Sequence, residues 1–133
     1  MRSRIVVVDT SVVSYLLKNH SLARHYWRVL AGRTLAVSFM TVAELYRWPF
    51  QRQWGEERIA RLRQHLTSYA VLPYDDRMSW EWARVKTRKG HPISDADAWI
   101  ACAAIVYEAP LVTHNARHFL HIDELEILTV SDG

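Results

Sequence analysis

The chain has 133 residues, enough to bury one ordinary core but too few for two, and half are hydrophobic against 23% charged. That balance excludes a disordered chain, and no apolar run approaches the length of a membrane span. The formal net charge of +3 favours a polyanionic partner modestly, through a term that salt weakens.

Ile5-Val6-Val7-Val8 is a continuous β-branched run, which predicts a strand covered on both faces, as in a parallel sheet between helix layers. Asp9 closes it. A helix is expected from near Ser11 through Leu17, and a second over 22–30, stopped by Gly32. Residues 35–38 read as a second strand. Residues 40–48 then read as a helix ended by Pro49, and 56–66 as an amphipathic helix with Ile59, Leu62 and Leu66 on one face. Residues 69–72 predict a third strand, closed by Pro73. A long helix is expected over 75–89, ending at Gly90, with Met78, Trp82 and Val85 inward. Ser94 starts a helix to about residue 107 that is apolar nearly all round, so it belongs in the core. Residues 111–113 and 127–129 are the last strand candidates.

Alternating strands and helices, with no internal repeat or linker, predict one α/β domain over residues 1–133 with a mainly parallel sheet. Ligands in such sheets gather beyond the C-terminal ends of the strands. Asp9 and Asn115 fall there, and a helix after the second strand adds Glu44.

Cys102 is the sole cysteine and lies in an apolar run, so it reads as a buried thiol. Neither a disulfide framework nor a cysteine-rich zinc site is available, which suits a reducing cytosol. Arg2 and Arg4 precede an apolar run too short for the core of a signal peptide. A cytoplasmic location is therefore expected.

Each acid has a structural alternative. Asp9 is a good N-cap for the helix that follows it. Thr41-Val42-Ala43-Glu44 and Ser94-Asp95-Ala96-Asp97 both have the spacing of a capping box. Taken together, however, Asp9, Glu44 and Asp97 would converge at one sheet edge. Carboxylates gathered in a pocket repel one another, and a cation is the usual remedy. An all-oxygen set favours magnesium, with manganese as a substitute, over zinc.

The chain resembles the PIN-domain family, most of all the VapC-type toxins of bacterial and archaeal toxin-antitoxin pairs. The resemblance runs through Ile5-Val6-Val7-Val8-Asp9-Thr10-Ser11, Thr41-Val42-Ala43-Glu44-Leu45, Ile93-Ser94-Asp95-Ala96-Asp97-Ala98-Trp99-Ile100-Ala101 and Leu111-Val112-Thr113-His114-Asn115-Ala116-Arg117-His118-Phe119. Each motif alone is weak; their order and separation make the match. It implies a three-layer α/β/α sandwich with a mainly parallel sheet of four or five strands. It also implies that Asp9, Glu44 and Asp97 are the metal ligands, with Asp95 only a helper. The family often has a further acid at the position of Asn115 or of His118, and neither is a carboxylate here. Asn115 can still ligate or orient a water through its amide. Ser11 and Thr113 are supporting members, able to hydrogen-bond a carboxylate or a phosphate.

The reaction so implied is magnesium-dependent hydrolysis of RNA, leaving a 5′-phosphate and a 3′-hydroxyl. The implied partners are a VapB-type antitoxin and a second copy of the chain in a homodimer. The 56–66 helix offers an apolar stripe for either contact, with core packing as its alternative.

Basic residues are unevenly placed. No acid lies between Asp9 and Glu44, whereas the stretch from His118 carries Asp123, Glu124, Glu126 and Asp132 with no Lys or Arg. Arg24, Arg28, Lys86, Arg88 and Lys89 are candidate phosphate contacts. His114, His118 and His121 superficially resemble a zinc tract, but no HExxH helix or cysteine partner accompanies them; solvated loop histidines are the default. The six tryptophans could stack on bases or pack the core, and Trp99 is expected to pack.

Rival classes weigh less. A haloacid-dehalogenase-type phosphatase needs a second aspartate two residues after Asp9, and a receiver domain needs an acidic pair at the first strand. A non-catalytic PIN-like RNA-binding or interaction module is the stronger rival, because the fourth acid is absent.

Overall fold

The computed structural model describes residues 4–131; Arg2 and Asp132 lie outside the described residues. Five short strands form the sheet: β1 (Ile5–Val8), β2 (Thr34–Ser38), β3 (Ala70–Leu72), β4 (Leu111–Val112) and β5 (Ile127–Leu128). Their order is β3-β2-β1-β4-β5, and every adjacent pair is parallel. The chain builds outward from β1 to β3 on one side, then returns to build β4 and β5 on the other. A crevice therefore opens between the C-terminal ends of β1 and β4, where the strand order reverses.

Successive side chains of β1 point to opposite faces, which explains its unbroken apolar run. Val6 and Val8 pack with α1 (Thr10–Lys18), α2 (Ala23–Leu30), α3 (Phe39–Arg52) and α4 (Glu56–Leu66), through Val12, Tyr26, Leu45 and Leu62. Val7 faces the opposite layer, where α5 (Asp76–Lys86) and α6 (Asp95–Val106) supply Met78, Val85, Ile100 and Cys102. The result is the three-layer α/β/α sandwich that the sequence implies. Residues 98 and 100–104 of α6 are all buried, as its all-round apolar character requires. Leu62 and Leu66 of the α4 stripe also lie in the core, so packing uses most of that stripe.

Three boundaries differ from expectation. Pro49 does not end α3, which runs on to Arg52 with Pro49 buried inside it. Proline removes one i→i−4 hydrogen bond; here its own carbonyl accepts from the backbone N–H groups of Gln53 and Trp54, and these close the final turn. Ser38, rather than Thr41, caps α3 by accepting from the Met40 N–H at 3.0 Å, so Thr41 and Glu44 sit inside the helix and form no capping box. Finally, α5 stops at Lys86, where Thr87 turns its hydroxyl onto the Ala83 carbonyl at 2.9 Å.

Among the described residues, no helix is long and apolar enough to cross a membrane.

Candidate active site

Asp9 stands at the first position beyond β1 and caps α1. Its backbone N–H extends the ladder to the Val112 carbonyl at 2.9 Å, which fixes it at the β1–β4 crevice. The side chain is 3% exposed. Its Oδ1 accepts from the Thr10 N–H at 2.7 Å, while Oδ2 accepts from the Thr113 hydroxyl at 2.6 Å and the Ser11 hydroxyl at 3.3 Å. Burial pushes the Asp9 pKa above the ordinary carboxylate value, and the nearby Asp97 charge adds to this. The Thr113, Thr10 and Ser11 donors oppose the shift without cancelling it. Asp9 is thus a carboxyl whose three donors favour the anion in a place that resists the charge.

Glu44 reaches the crevice from α3. Thr41 and Glu44 are three residues apart and so share a helix face. Both meet Thr10: its hydroxyl lies 3.0 Å from Thr41 Oγ1 and donates to Glu44 Oε1 at 2.7 Å. Thr10 therefore touches Asp9 with its backbone and Glu44 with its side chain. Spacing alone makes Thr41 a cap and gives Thr10 no role. The available signals were the adjacency of Thr10 to Asp9 and the i,i+3 spacing of Thr41 to Glu44.

Asp97 comes from the first turn of α6, whose cap Ser94 accepts from the Asp97 N–H at 3.1 Å. Residues two apart on a helix face roughly opposite ways, about 200° around the axis. Asp97 accordingly acts on Asp9, whereas Asp95 turns outward to pair with Lys86 at 2.9 Å with its side chain 75% exposed. The two acids thus lie on different sides of α6.

Ser11 and Thr113 both bond to Asp9, and Ser11 Oγ also accepts from the His114 N–H at 3.3 Å. Asn115 sits on the same turn, with its backbone N–H donating to Thr113 Oγ1 at 3.0 Å. The residue is exposed. His118 follows in a short 3-10 turn (Ala116–His118), and its Nδ1 lies 3.3 Å from Asp97 Oδ2. An imidazole thus meets the acid.

The other histidines point elsewhere. His114 is no solvated loop residue: its ring packs edge-on against Tyr15 and Tyr26, at centroid distances of 5.3 and 5.7 Å, and Nδ1 bonds to the Tyr26 hydroxyl. His121 stacks on His91. The three histidines therefore diverge instead of sharing a metal. Among the described residues, no three His, Cys, Asp or Glu side chains form a ready-made cation cage. The acids stand instead as an interacting Asp9–Asp97 pair with Glu44 one threonine away.

Two of the basic candidates are already engaged. Lys86 holds the Ile93 carbonyl at 2.7 Å besides Asp95, and Arg88 holds the His121 carbonyl and Glu124 at 2.7 and 2.8 Å. These bonds brace the segments leading into α6 and out of the 3-10 turn. Arg24, Arg28 and Lys89 remain exposed. Trp99 packs as expected, stacked on Trp82 with centroids 5.2 Å apart and against Phe39; Trp80, 72% exposed, does not.

A family model described as PIN domain matches residues 6–125, spanning every element of this site. The chain belongs to the PIN-domain family. Among its PIN-domain relatives, Ribonuclease VapC1 of Haemophilus influenzae (strain R2866) is 32% identical over 127 residues, covering 92% of this chain and 95% of the relative. Ribonuclease VapC1 of Methanocaldococcus jannaschii is 28% identical over 122 residues, covering 90% and 82%. The solved structure of VapBC-1 from nontypeable Haemophilus influenzae matches with a TM-score of 0.79 at 31% identity, over 94% of this chain and 97% of that one. VapBC2 from Rickettsia felis, solved with a DNA fragment from its promoter, shares the fold with a TM-score of 0.84 at 24% identity, over 96% and 99%.

Proposed function

We propose that this PIN-domain chain is a VapC-type endoribonuclease, the toxin of a toxin-antitoxin pair, and that it hydrolyses RNA phosphodiester bonds with magnesium as cofactor. The observation that carries the reading is the Asp9 carboxyl: buried at the strand-order reversal, held by three donors and facing a second acid. A buried carboxyl beside a second acid is destabilised as an anion unless a proton or a cation joins it. Its oxygen-only chemistry fits magnesium or manganese, which need one or two protein carboxylates and fill other positions with water. Asp9, Asp97 and Glu44 would hold the ion. When bound, it supplies Lewis-acid polarisation of a phosphate oxygen and an acidified water.

The chain's own residues do the remaining work. Thr113, Ser11 and the Thr10 N–H fix both oxygens of Asp9, so no reorganisation of that carboxylate is needed during reaction. Thr10, which also meets Thr41, holds Glu44 at the edge of the same crevice. Asn115 offers its amide to the attacking water. The bond from phosphorus to the 3′-oxygen breaks as the water oxygen joins phosphorus, giving a 5′-phosphate and a 3′-hydroxyl without a covalent enzyme intermediate. His118 keeps its imidazole against Asp97, with Nδ1 3.3 Å from Oδ2.

The relatives named ribonucleases and the solved VapBC pair support both the RNA substrate and a VapB-type antitoxin partner. A homodimeric state and a cytoplasmic setting belong to the same reading.

The test is cleavage of end-labelled RNA by the purified chain, with magnesium, with EDTA, and with Asp9→Asn and Asp97→Asn. Cleavage that needs magnesium, vanishes in both variants and leaves 5′-phosphate ends is expected. Undiminished cleavage in EDTA would sink the metal mechanism. RNA binding without any cleavage would return the chain to the non-catalytic class.

A further inference from the structure

Beside the acids, a groove of about 520 Å³ opens between the 90–94 loop and the 117–121 segment. Asp97 and His118 form one part of its lining, and His91, Arg117 and His121 form another. Its volume lies within the roughly 300–1,000 Å³ of small-ligand sites. The groove is therefore large enough for more than a solvated phosphate.

Its chemistry differs from that of the acidic crevice. Asp97 is the one acid in the lining, and it has His118 against it. Arg117 is exposed and, among the described residues, has no ion-pair partner, in contrast to Arg88. His91 and His121 stack with centroids 5.0 Å apart and planes within 5° of parallel. Desolvation, then His91 and Arg88, lower the His121 pKa. Its Nε2 is buried without a hydrogen-bond partner, and His91 is exposed with no hydrogen bond among the described residues. Ring stacking holds the pair, and His91 is its exposed member.

We propose that this groove is a nucleotide subsite for single-stranded RNA, in which a base beside the cleaved bond stacks on His91 and its phosphate pairs with Arg117. Flat rings next to a free guanidinium match the way proteins take an unpaired base together with its backbone. A duplex stacks its own bases and leaves no face for His91. Every base has such a face, so the contact fixes strand register more than sequence. This inference rests on the ribonuclease reading, but it has a readout of its own.

The experiment is fluorescence anisotropy of the whole chain with a labelled, mixed-sequence, short single-stranded RNA at low salt in EDTA. His91→Ala and Arg117→Ala should each weaken binding about tenfold, the scale of one lost base stack or phosphate contact. His91→Phe, which keeps a flat face, should bind like the parent, and Arg117→Ala should also reduce the salt dependence. Binding of a duplex of the same length should respond less to His91→Ala. Parent-like affinity in both alanine variants, at unchanged Tm, overturns the subsite. Failure of the parent to bind the RNA also overturns it, as does weakened binding of an acidic peptide with RNA affinity unchanged. Magnesium-dependent cleavage by the parent is scored separately, so loss of the subsite leaves the ribonuclease reading standing, and loss of cleavage leaves the binding result intact.

Discussion

Thr113 donates its hydroxyl to Asp9 across 2.6 Å, joining the ends of β4 and β1 through two buried side chains 104 residues apart. Thr113→Val keeps the shape and removes the donor. Losing a hydrogen bond to the ionised form raises the Asp9 pKa further. Cleavage should fall by about 10- to 100-fold, as for other groups that orient metal ligands, and the acidic limb of the pH–rate profile should move to higher pH. Thr113→Ser should restore both; a uniform fall in rate with no movement of the limb would reduce Thr113 to a packing role.

Asp9 also ties stability to pH. Its folded pKa lies above the unfolded value, chiefly through burial and then through Asp97. Between those two values the folded chain holds more protons than the unfolded chain, so stability is greatest below the unfolded pKa and declines as pH rises through the folded one. Asp9→Asn should remove that decline and raise the Tm of the metal-free protein at neutral pH while abolishing cleavage. Magnesium should raise the Tm of the parent and not of the variant. A variant less stable than the metal-free parent at neutral pH would contradict the burial argument.

Thr10 is the shared contact of Asp9 and Glu44. Thr10→Val preserves the backbone N–H and removes the hydroxyl, freeing Glu44. The expected result is a cleavage rate about tenfold lower and a higher magnesium requirement, both recovered by Thr10→Ser. Magnesium titrations of the three proteins decide it.

Asp97 and Asp95 should separate cleanly. Asp97→Asn should lower cleavage by more than about a hundredfold, beyond the usual effect of a supporting residue. Asp95→Asn breaks an exposed ion pair with Lys86, worth under about 1 kcal/mol, and should leave the rate close to the parent's. Equal losses in both variants would mean that the outward position of Asp95 has been misread.

Cys102 is fully buried in α6, and burial pushes its thiol pKa up to about 12. Iodoacetamide at mildly alkaline pH should leave the folded chain unmodified and alkylate it once in denaturant. Mass spectrometry of the two samples provides the check.

Much of this protein was legible in one dimension, because period and composition act locally. The Ile5-Val6-Val7-Val8 run announced a strand with helices on both faces, and the all-round apolar stretch after Ser94 announced a buried helix. Asp9 follows a strand and Asp97 lies in the first turn of a helix, places where an α/β chain exposes polar groups to ligand, whereas Glu44 lies inside α3 and is singled out by its motif alone. Pro49 misled because a proline removes only one hydrogen bond, and whether the helix survives depends on groups that arrive from the next turn. The capping box at Thr41 misled because Ser38 lies nearer the true helix start.

What the tertiary structure alone decided is which neighbours the acids keep. Sequence spacing cannot bring Thr113 to Asp9, Thr10 to Glu44 or His118 to Asp97, since each contact requires the β1–β4 pairing or the seating of a helix on the sheet. It also cannot show that Lys86 and Arg88 brace loops while Arg117 remains exposed. The sequence by itself determined the layers, the acids and their order along the chain. Burial and long-range hydrogen bonding determined their charge and reach, because the energy of a carboxyl depends on what surrounds it in space.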